Sequence, residues 1–306
     1  MKVLLLGSGQ GPGQGAGYFM AKNCYNGWRA LGLTVVPLGL EEPEELRSIQ
    51  NAVECHKPDL VFQLLAQQYG HIPQLLELER KGTPVVLWNM TEEEDQNFCL
   101  TFSNKIALYC TYTQKAVPIH KNNGANVIFL PTAADDSIFK PIEPIPEYQK
   151  DIVYIGYPFD FKVNILNKLR RHFGDRCFFK LGGETPQQEE NKYYNSSKVM
   201  IEIGQHQDLV AGWGQAGCPC RIYEVGASGG FQVVMERPDL EAVYEPDREI
   251  ATYDGSAESL IEKVEYYLEN EEQREEIKEK YYQRTIREHL YKHRFKRVLR
   301  ELGFES

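Results

Sequence analysis

Short runs of leucine and β-branched residues alternate with helix-period segments along this chain, break once, and then begin again. In the first series, Lys2–Leu6, Thr34–Leu38, 59–65, 84–88, 106–111 and 126–130 read as strands. Helical patterns at 18–31, 43–56 and 73–81 lie between them, the first stopped by Gly32. The second series reads strand 151–157, helix 162–173, strand 177–181, helix 189–197, strand 199–203, helix 221–227, strand 231–234 and a small strand 250–253. Strands that are apolar on both faces and separated by helices cannot pair as hairpins. They demand a parallel sheet covered on both sides. The chain is therefore expected to be α/β, with two doubly wound units in tandem.

The break between the series carries Pro141, Pro144 and Pro146 and has no period. Residues 135–149 accordingly read as a linker. The expected division is a first domain over 1–140 and a second over 151–285, with a C-terminal helical segment over 286–306. Two such units place a ligand cleft at the carboxyl ends of their strands, so a central cleft faced by both sheets is expected. Two helices are expected to finish the chain, marked by Leu260, Ile261, Val264, Tyr267 and Leu268 and then by Phe295, Val298, Leu299 and Leu302.

Length and charge narrow the class. The 306 residues suffice for two domains, with 42% hydrophobic and 25% charged residues, as in ordinary globular chains. A formal net charge of −10 argues against a nucleic-acid partner, which calls for a basic footprint. No apolar run reaches the length of a membrane span, and the first strand runs straight into glycines instead of a signal-peptide cleavage site. The expected location is the cytoplasm. Seven cysteines in no framework spacing read as free thiols. Cys218-Pro-Cys220 lacks the second pair that a zinc site needs, and no metal or other cofactor is expected. The glutamates of 258–279 and the cations of 280–300 read as solvated helix faces.

Several segments at strand ends could carry chemistry. Gly7, Gly9, Gly11, Gly13, Gly15 and Gly17 fall on alternate positions after the first strand. The spacing makes a poor dinucleotide fingerprint, so the loop reads as one over a substrate cleft, with Gly9, Gly11, Gly13 and Gly15 approaching a ligand through backbone, or else as a permissive surface loop. His71 follows the third strand. Asp95 follows the fourth, in an acidic run that also suits the first turn of a helix. Both are candidate catalytic groups, as a base or as a hold on sugar hydroxyls. Lys180-Leu-Gly182-Gly183 ends a strand of the second series; the lysine can neutralise a diphosphate and the glycines let backbone come near. Arg221-Ile-Tyr-Glu224-Val-Gly226-Ala-Ser-Gly229-Gly230 places an arginine and a carboxylate three apart on one helix face, with a proline near the helix start where free N–H groups suit a phosphate. Tyr157 and Gly229 complete the donor-side set.

These residues carry a resemblance. The stretches Asn126-Val-Ile-Phe-Leu-Pro131, Phe139-Lys-Pro141, Asp151-Ile-Val-Tyr-Ile-Gly156, Arg221-x-x-Glu224, Glu249-Ile-Ala-Thr-Tyr253 and His289-Leu-Tyr-x-His293-Arg294 resemble the CgeB-like spore-maturation glycosyltransferases. These lie within the wider group-1 set, which has two Rossmann-like domains in the GT-B arrangement. The resemblance covers about 127–300. It implies a nucleoside-diphosphate-sugar donor in the second domain, a ribose contact from Glu224, no required metal, and a last helix that crosses back onto the first domain. Retaining members often have a second glutamate upstream; that position is Ala216 here, which leaves retaining or inverting chemistry open. The resulting expectation is a hexosyltransferase-like enzyme acting on an acceptor that the residues do not specify, whether small molecule, polysaccharide or protein. The alternatives are a sugar-nucleotide epimerase on the same fold and a non-catalytic coat or scaffold protein that keeps it.

Overall fold

The apolar strand runs pair in parallel throughout. A computed structural model describes residues 1–7, 15–40, 49–65, 69–90, 92–182, 185–204 and 216–304. Gly9, Gly11, Gly13 and Gly183 lie outside these residues, and Gly15 is the first residue of a helix. By internal contacts the chain forms two units, 1–131 with 291–306, and 132–290.

In the first unit the strands are β1 (Lys2–Leu6), β2 (Thr34–Leu38), β3 (Leu60–Leu65), β4 (Val85–Asn89), β5 (Leu108–Thr111) and β6 (Val127–Phe129). Their order is β2-β1-β3-β4-β5-β6, all parallel. Every residue of β3 and β4 is buried, as expected of strands covered on both faces. The helices of this unit are α1 (Gly15–Arg29), α2 (Ile49–His56), α3 (Ile72–Arg80), α4 (Glu92–Cys99) and α5 (Ala116–Asn122). The short α5 is not legible in the sequence because Pro118 sits inside it. Its last turn carries buried His120, whose Nδ1 lies 2.8 Å from Ser103 Oγ.

The second unit has β7 (Ile152–Gly156), β8 (Cys177–Leu181), β9 (Val199–Ile201), β10 (Gln232–Met235) and β11 (Ala251–Tyr253), in the order β11-β10-β9-β7-β8. Its helices are α6 (Asp160–Phe173), α7 (Gln187–Ser196), α8 (Cys220–Ala227), α9 (Ala257–Glu269) and α10 (Glu271–Glu288). Both sheets run outward from their first strand in two directions. Each therefore has a topological switch point, at β1/β3 and at β7/β9, where doubly wound sheets place their ligands.

Two expectations change. Residues 135–149 are no free linker; they are laced to α7. Asn191 Oδ1 accepts from Lys140 N at 3.2 Å, Asn195 Oδ1 from Ile142 N at 2.8 Å, and Ser196 Oγ from Ile145 N at 2.9 Å. The prolines cannot donate, so side-chain amides and a hydroxyl satisfy the N–H groups between them. Three helices, not two, finish the chain. The strongly polar α10 escapes the hydrophobic pattern because its buried face is Arg274, Ile277, Tyr281 and Thr285.

The last helix, α11 (Tyr291–Glu301), belongs to the first unit. Phe295 stacks on Trp28 of α1 at 4.1 Å between centroids and 5° between planes. A Cβ on Gly27 would lie 2.5 Å from Tyr291 Cβ, so the absence of a side chain there lets the two helices touch. Arg294 Nε donates to Pro131 O at 2.8 Å and Arg297 Nη1 to Phe129 O at 3.0 Å. Among the described residues no helix is long and apolar enough to cross a membrane.

Candidate functional site

The carboxyl ends of β7, β9 and β10 gather an unusual density of buried charge. Pro219, in extended conformation, caps α8. From there Arg221 and Glu224 sit one turn apart on a helix whose residues 222–227 are all buried. Arg221 does not pair along its own helix. Its Nη2 lies 3.5 Å from Glu190 Oε1 on α7, and its Nε donates to Tyr194 Oη at 3.3 Å. Burial works against the guanidinium's charge, but Tyr194 and Glu190 more than offset it and hold the pKa above its ordinary value.

Glu224 is only 7% exposed and accepts no hydrogen bond from the described side chains. Burial, together with the neighbouring charges of Glu190 and Asp135, pushes its carboxyl up to about 8, against the opposing pull of Arg221. Glu190 is raised as well, by burial above all, with Arg221 opposing. Two carboxylates and one arginine thus share a desolvated site, which favours the protonated form of both carboxyls. The reading of the sequence missed Glu190. The signal was there: Gln187, Glu190, Asn191 and Tyr194 fall at helical spacing and form the buried face of α7, and polar residues on a buried face call for partners.

A second missed residue is Lys162, in the first turn of α6. It is half-buried, and its Nζ lies 5.5 Å from the Phe159 ring centroid and 5.7 Å from that of Phe161. Burial lowers its pKa; Glu202 opposes this, while Arg221 and Arg237 add to it. Arg237, just past β10, is neutralised by a buried ion pair with Glu202, just past β9. The Glu202 carboxylate also accepts from Met235 N at 3.3 Å. Among the described residues Lys162 has no carboxylate ion-pair partner, and Arg221 is paired with Glu190 at 3.5 Å.

Lys180 lies on β8 at the outer side of the same edge. Its ammonium is taken up by Glu189 at 2.6 Å and lies over the Tyr193 ring. Gly182 and Gly229 both have positive φ, +72° and +69°. Gly182 N donates to Gly156 O at 3.1 Å, tying the β8 end to the β7 end. Tyr157, next along, is 58% exposed. The close approach of α8 to α10 rests on Gly226, where a Cβ would run into Thr285 and Tyr281.

The two catalytic candidates of the first unit follow neighbouring strands, β3 and β4. His71 caps α3. Its pKa is lowered by burial, and its buried Nδ1 has no hydrogen-bond partner among the described residues. Asp95 interrupts α4 with non-helical angles (φ −129°, ψ 21°) and accepts from Tyr69 Oη at 2.9 Å. Among the described residues no group of three or more His, Cys, Asp or Glu is placed to hold a metal ion.

Comparison with known proteins places this geometry. Residues 155–300 match the family model described as glycosyl transferase-like. Similar solved structures include sucrose-phosphate synthase from Thermosynechococcus elongatus, at 10% identity, TM-score 0.67 and the full length of both chains. HepE from Anabaena in complex with UDP is similar at 11% identity and TM-score 0.64, over 99% of this chain and all of that one; the same protein has been solved with UDP-glucose. A putative UDP-N-acetylglucosamine 2-epimerase from Listeria monocytogenes is similar at 8% identity and TM-score 0.62, over 97% and 94% of the chains. No curated protein sequence matches this chain. At such identities the structural likeness shows the fold alone. The chain has the GT-B fold, and its residues 155–300 are similar to the glycosyl transferase-like family.

Proposed function

We propose that this protein is a cytoplasmic glycosyltransferase of the CgeB-like branch, moving a hexose from a nucleoside-diphosphate sugar to an acceptor. The observation that carries the reading is the grouping of Lys162, Arg221 and Glu224 at the switch point of the second sheet. When the glycosidic bond to the diphosphate breaks, negative charge grows on the leaving phosphate oxygens. Cations already fixed in a desolvated site stabilise that charge without reorganising. Lys162 and Arg221 fill this role, with Lys180 an outer cation already partnered by Glu189. Two cations on the diphosphate also make a metal dispensable in this scheme. Glu224, one turn beyond Arg221 on α8, accepts from the ribose hydroxyls. The helix N-terminus at Cys220 and the backbone at Gly182 and Gly229 approach the diphosphate. His71 and Asp95 remain the candidate bases of the first domain.

The reading is tested by thermal shift against UDP, GDP, ADP, CDP and dTDP. A ligand at a hundred times its dissociation constant stabilises by about 2.7 kcal/mol. A shift with at least one nucleotide, lost in Lys162→Ala, is expected. No shift with any of them sinks the donor site. Incubation of nucleotide sugars without acceptor separates a transferase, which leaves the sugar's configuration unchanged, from an epimerase.

A further inference from the structure

The helices on the two faces of the first sheet carry opposite charge. Alternate residues of a strand point to opposite faces, and β3 shows which helices cover which. Val61 and Leu65 pack with Ile49 and Ala52 of α2 and with Leu75 and Leu78 of α3. Phe62 turns the other way, edge-on to Trp28 of α1 at 5.5 Å and to Phe295 of α11 at 5.4 Å. The carboxylates Glu54, Glu77 and Glu79 stand on α2 and α3 against one arginine, Arg80. On α1 and α11 the balance is seven lysines and arginines against one carboxylate, Glu301. Arg294 is buried and donates to Pro131 O. The other six are Lys22, Arg29, Lys292, Lys296, Arg297 and Arg300, all exposed except half-buried Lys292. A chain of net charge −10 thus gathers a positive face on two helices in contact. On α10 the cations are neutralised along their own helix, Lys278 by Glu275 at 2.7 Å and Lys280 by Glu276 at 2.5 Å. No carboxylate among the described residues takes up Lys22, Arg29, Lys296 or Arg297 in that way. Like charges set side by side repel and gain nothing for the fold.

We infer that the outer face of α1 and α11 docks on an anionic lipid surface. The composition of the face selects this occupant. A protein partner is met by an apolar, often aromatic centre inside a polar rim. None of the exposed large hydrophobic side chains among the described residues lies on α1 or α11. One stands just past the end of α11: Phe304, 43% exposed, its N–H held by Leu299 O at 2.9 Å. Clustered cations with an exposed ring at their border suit a charged headgroup layer. The cations gain from its negative potential, and the ring enters the boundary between headgroups and acyl chains. No helix among the described residues is long and apolar enough to cross the bilayer, so the contact is peripheral and weakens with salt.

Vesicle co-sedimentation tests this without reference to the donor site. The protein is mixed with vesicles of phosphatidylcholine alone, or of phosphatidylcholine with about 30% phosphatidylglycerol, in about 0.1 M salt. It should sediment with the second kind only and be released as salt rises. Lys22→Gln/Arg29→Gln/Lys296→Gln should bind about a hundredfold more weakly, each cation near such a surface contributing about fivefold. Its melting temperature should hold, because all three side chains are exposed. Phe304→Ala should lose about threefold to tenfold. Lys278→Gln/Lys280→Gln/Arg287→Gln on α10 changes the net charge by the same amount and should bind like wild type. Four outcomes overturn the inference: no sedimentation with the anionic vesicles; equal sedimentation with phosphatidylcholine; equal losses in the two triple variants, which would leave only net charge at work; or wild-type binding by Phe304→Ala together with displacement from the vesicles by soluble polyglutamate, which would make the face a site for acidic polymers.

Discussion

Arg221 reaches 3.5 Å across to Glu190 of α7, and Glu224, one turn further along α8, has no ion-pair partner among the described residues. The arginine therefore ties two helices together while its remaining N–H groups stay available, and its side chain is 26% exposed. Arg221→Ala should weaken a nucleoside diphosphate about tenfold more than the corresponding nucleoside, roughly 1.4 kcal/mol. It should also lower the melting temperature, because Glu190 is left buried without its counter-charge. Adding Glu190→Gln should recover part of the melting temperature and none of the diphosphate affinity. Equal losses for nucleoside and diphosphate would show that the arginine is purely structural.

Glu224 gives a pH dependence of definite sign. Its carboxyl is raised from 4.5 to about 8 in the folded protein, so below 4.5 both states hold the proton and stability is unaffected. Between 4.5 and 8 the folded state still holds a proton that the unfolded chain has released, and this group makes stability fall as pH rises. Glu224→Gln removes that loss. The variant's melting temperature should rise relative to wild type across this window and level off above it. A ribose diol favours the carboxylate form, so donor binding should expel a proton near pH 7. Calorimetry in buffers of different ionisation enthalpy measures this. A constant melting-temperature difference from pH 5 to 8 would rule out the raised carboxyl.

Lys162→Ala probes the cation that has no carboxylate partner among the described residues. Its contacts are with two rings and its charge is half-desolvated, so removing it costs the fold little. Diphosphate affinity should drop about tenfold, roughly 1.4 kcal/mol, with melting temperature held. Lys180→Ala should show the reverse balance, because Glu189 already takes its ammonium. A larger diphosphate loss in the Lys180 variant would exchange the two roles.

Much of the fold was legible because apolar β3 and β4, and β1 beyond Lys2, are buried and leave no choice but a two-sided parallel sheet. Arg221 and Glu224 were legible because three-residue spacing on a short helix before a Gly-Gly turn is local information. Glu190 and Lys162 were not. Glu190 shows only as one of several polar residues at helical spacing on α7, and the role of each comes from neighbours far along the chain, Arg221 for the first and Glu202 for the second, which no local period reveals. The linker reading failed for a related reason. Prolines at 141, 144 and 146 say where helix cannot form, but the amides of Asn191 and Asn195 decide where the chain lies.

Glu202 and Arg237 form the most buried ion pair among the described residues, with side chains 6% and 1% exposed. They join the ends of β9 and β10. Arg237 Nη1 also donates to Gly217 O at 3.3 Å, ahead of α8, and Tyr253 Oη to Glu202 O at 3.2 Å. The pair thus fixes the start of the helix that presents Arg221. Arg237→Met removes the charge but keeps much of the volume, and it leaves Glu202 buried beside Lys162 alone. Breaking a buried pair from one side costs about 3 to 5 kcal/mol. Lys162 can recover some of this by turning toward Glu202, and it would then be withdrawn from the diphosphate. Arg237→Met should therefore lose both melting temperature and diphosphate affinity, although Arg237 itself touches no ligand in this scheme. The double variant Arg237→Met/Glu202→Gln should restore diphosphate affinity by releasing Lys162. If the double variant binds no better than Arg237→Met, competition for Lys162 is not how the pair acts on the site.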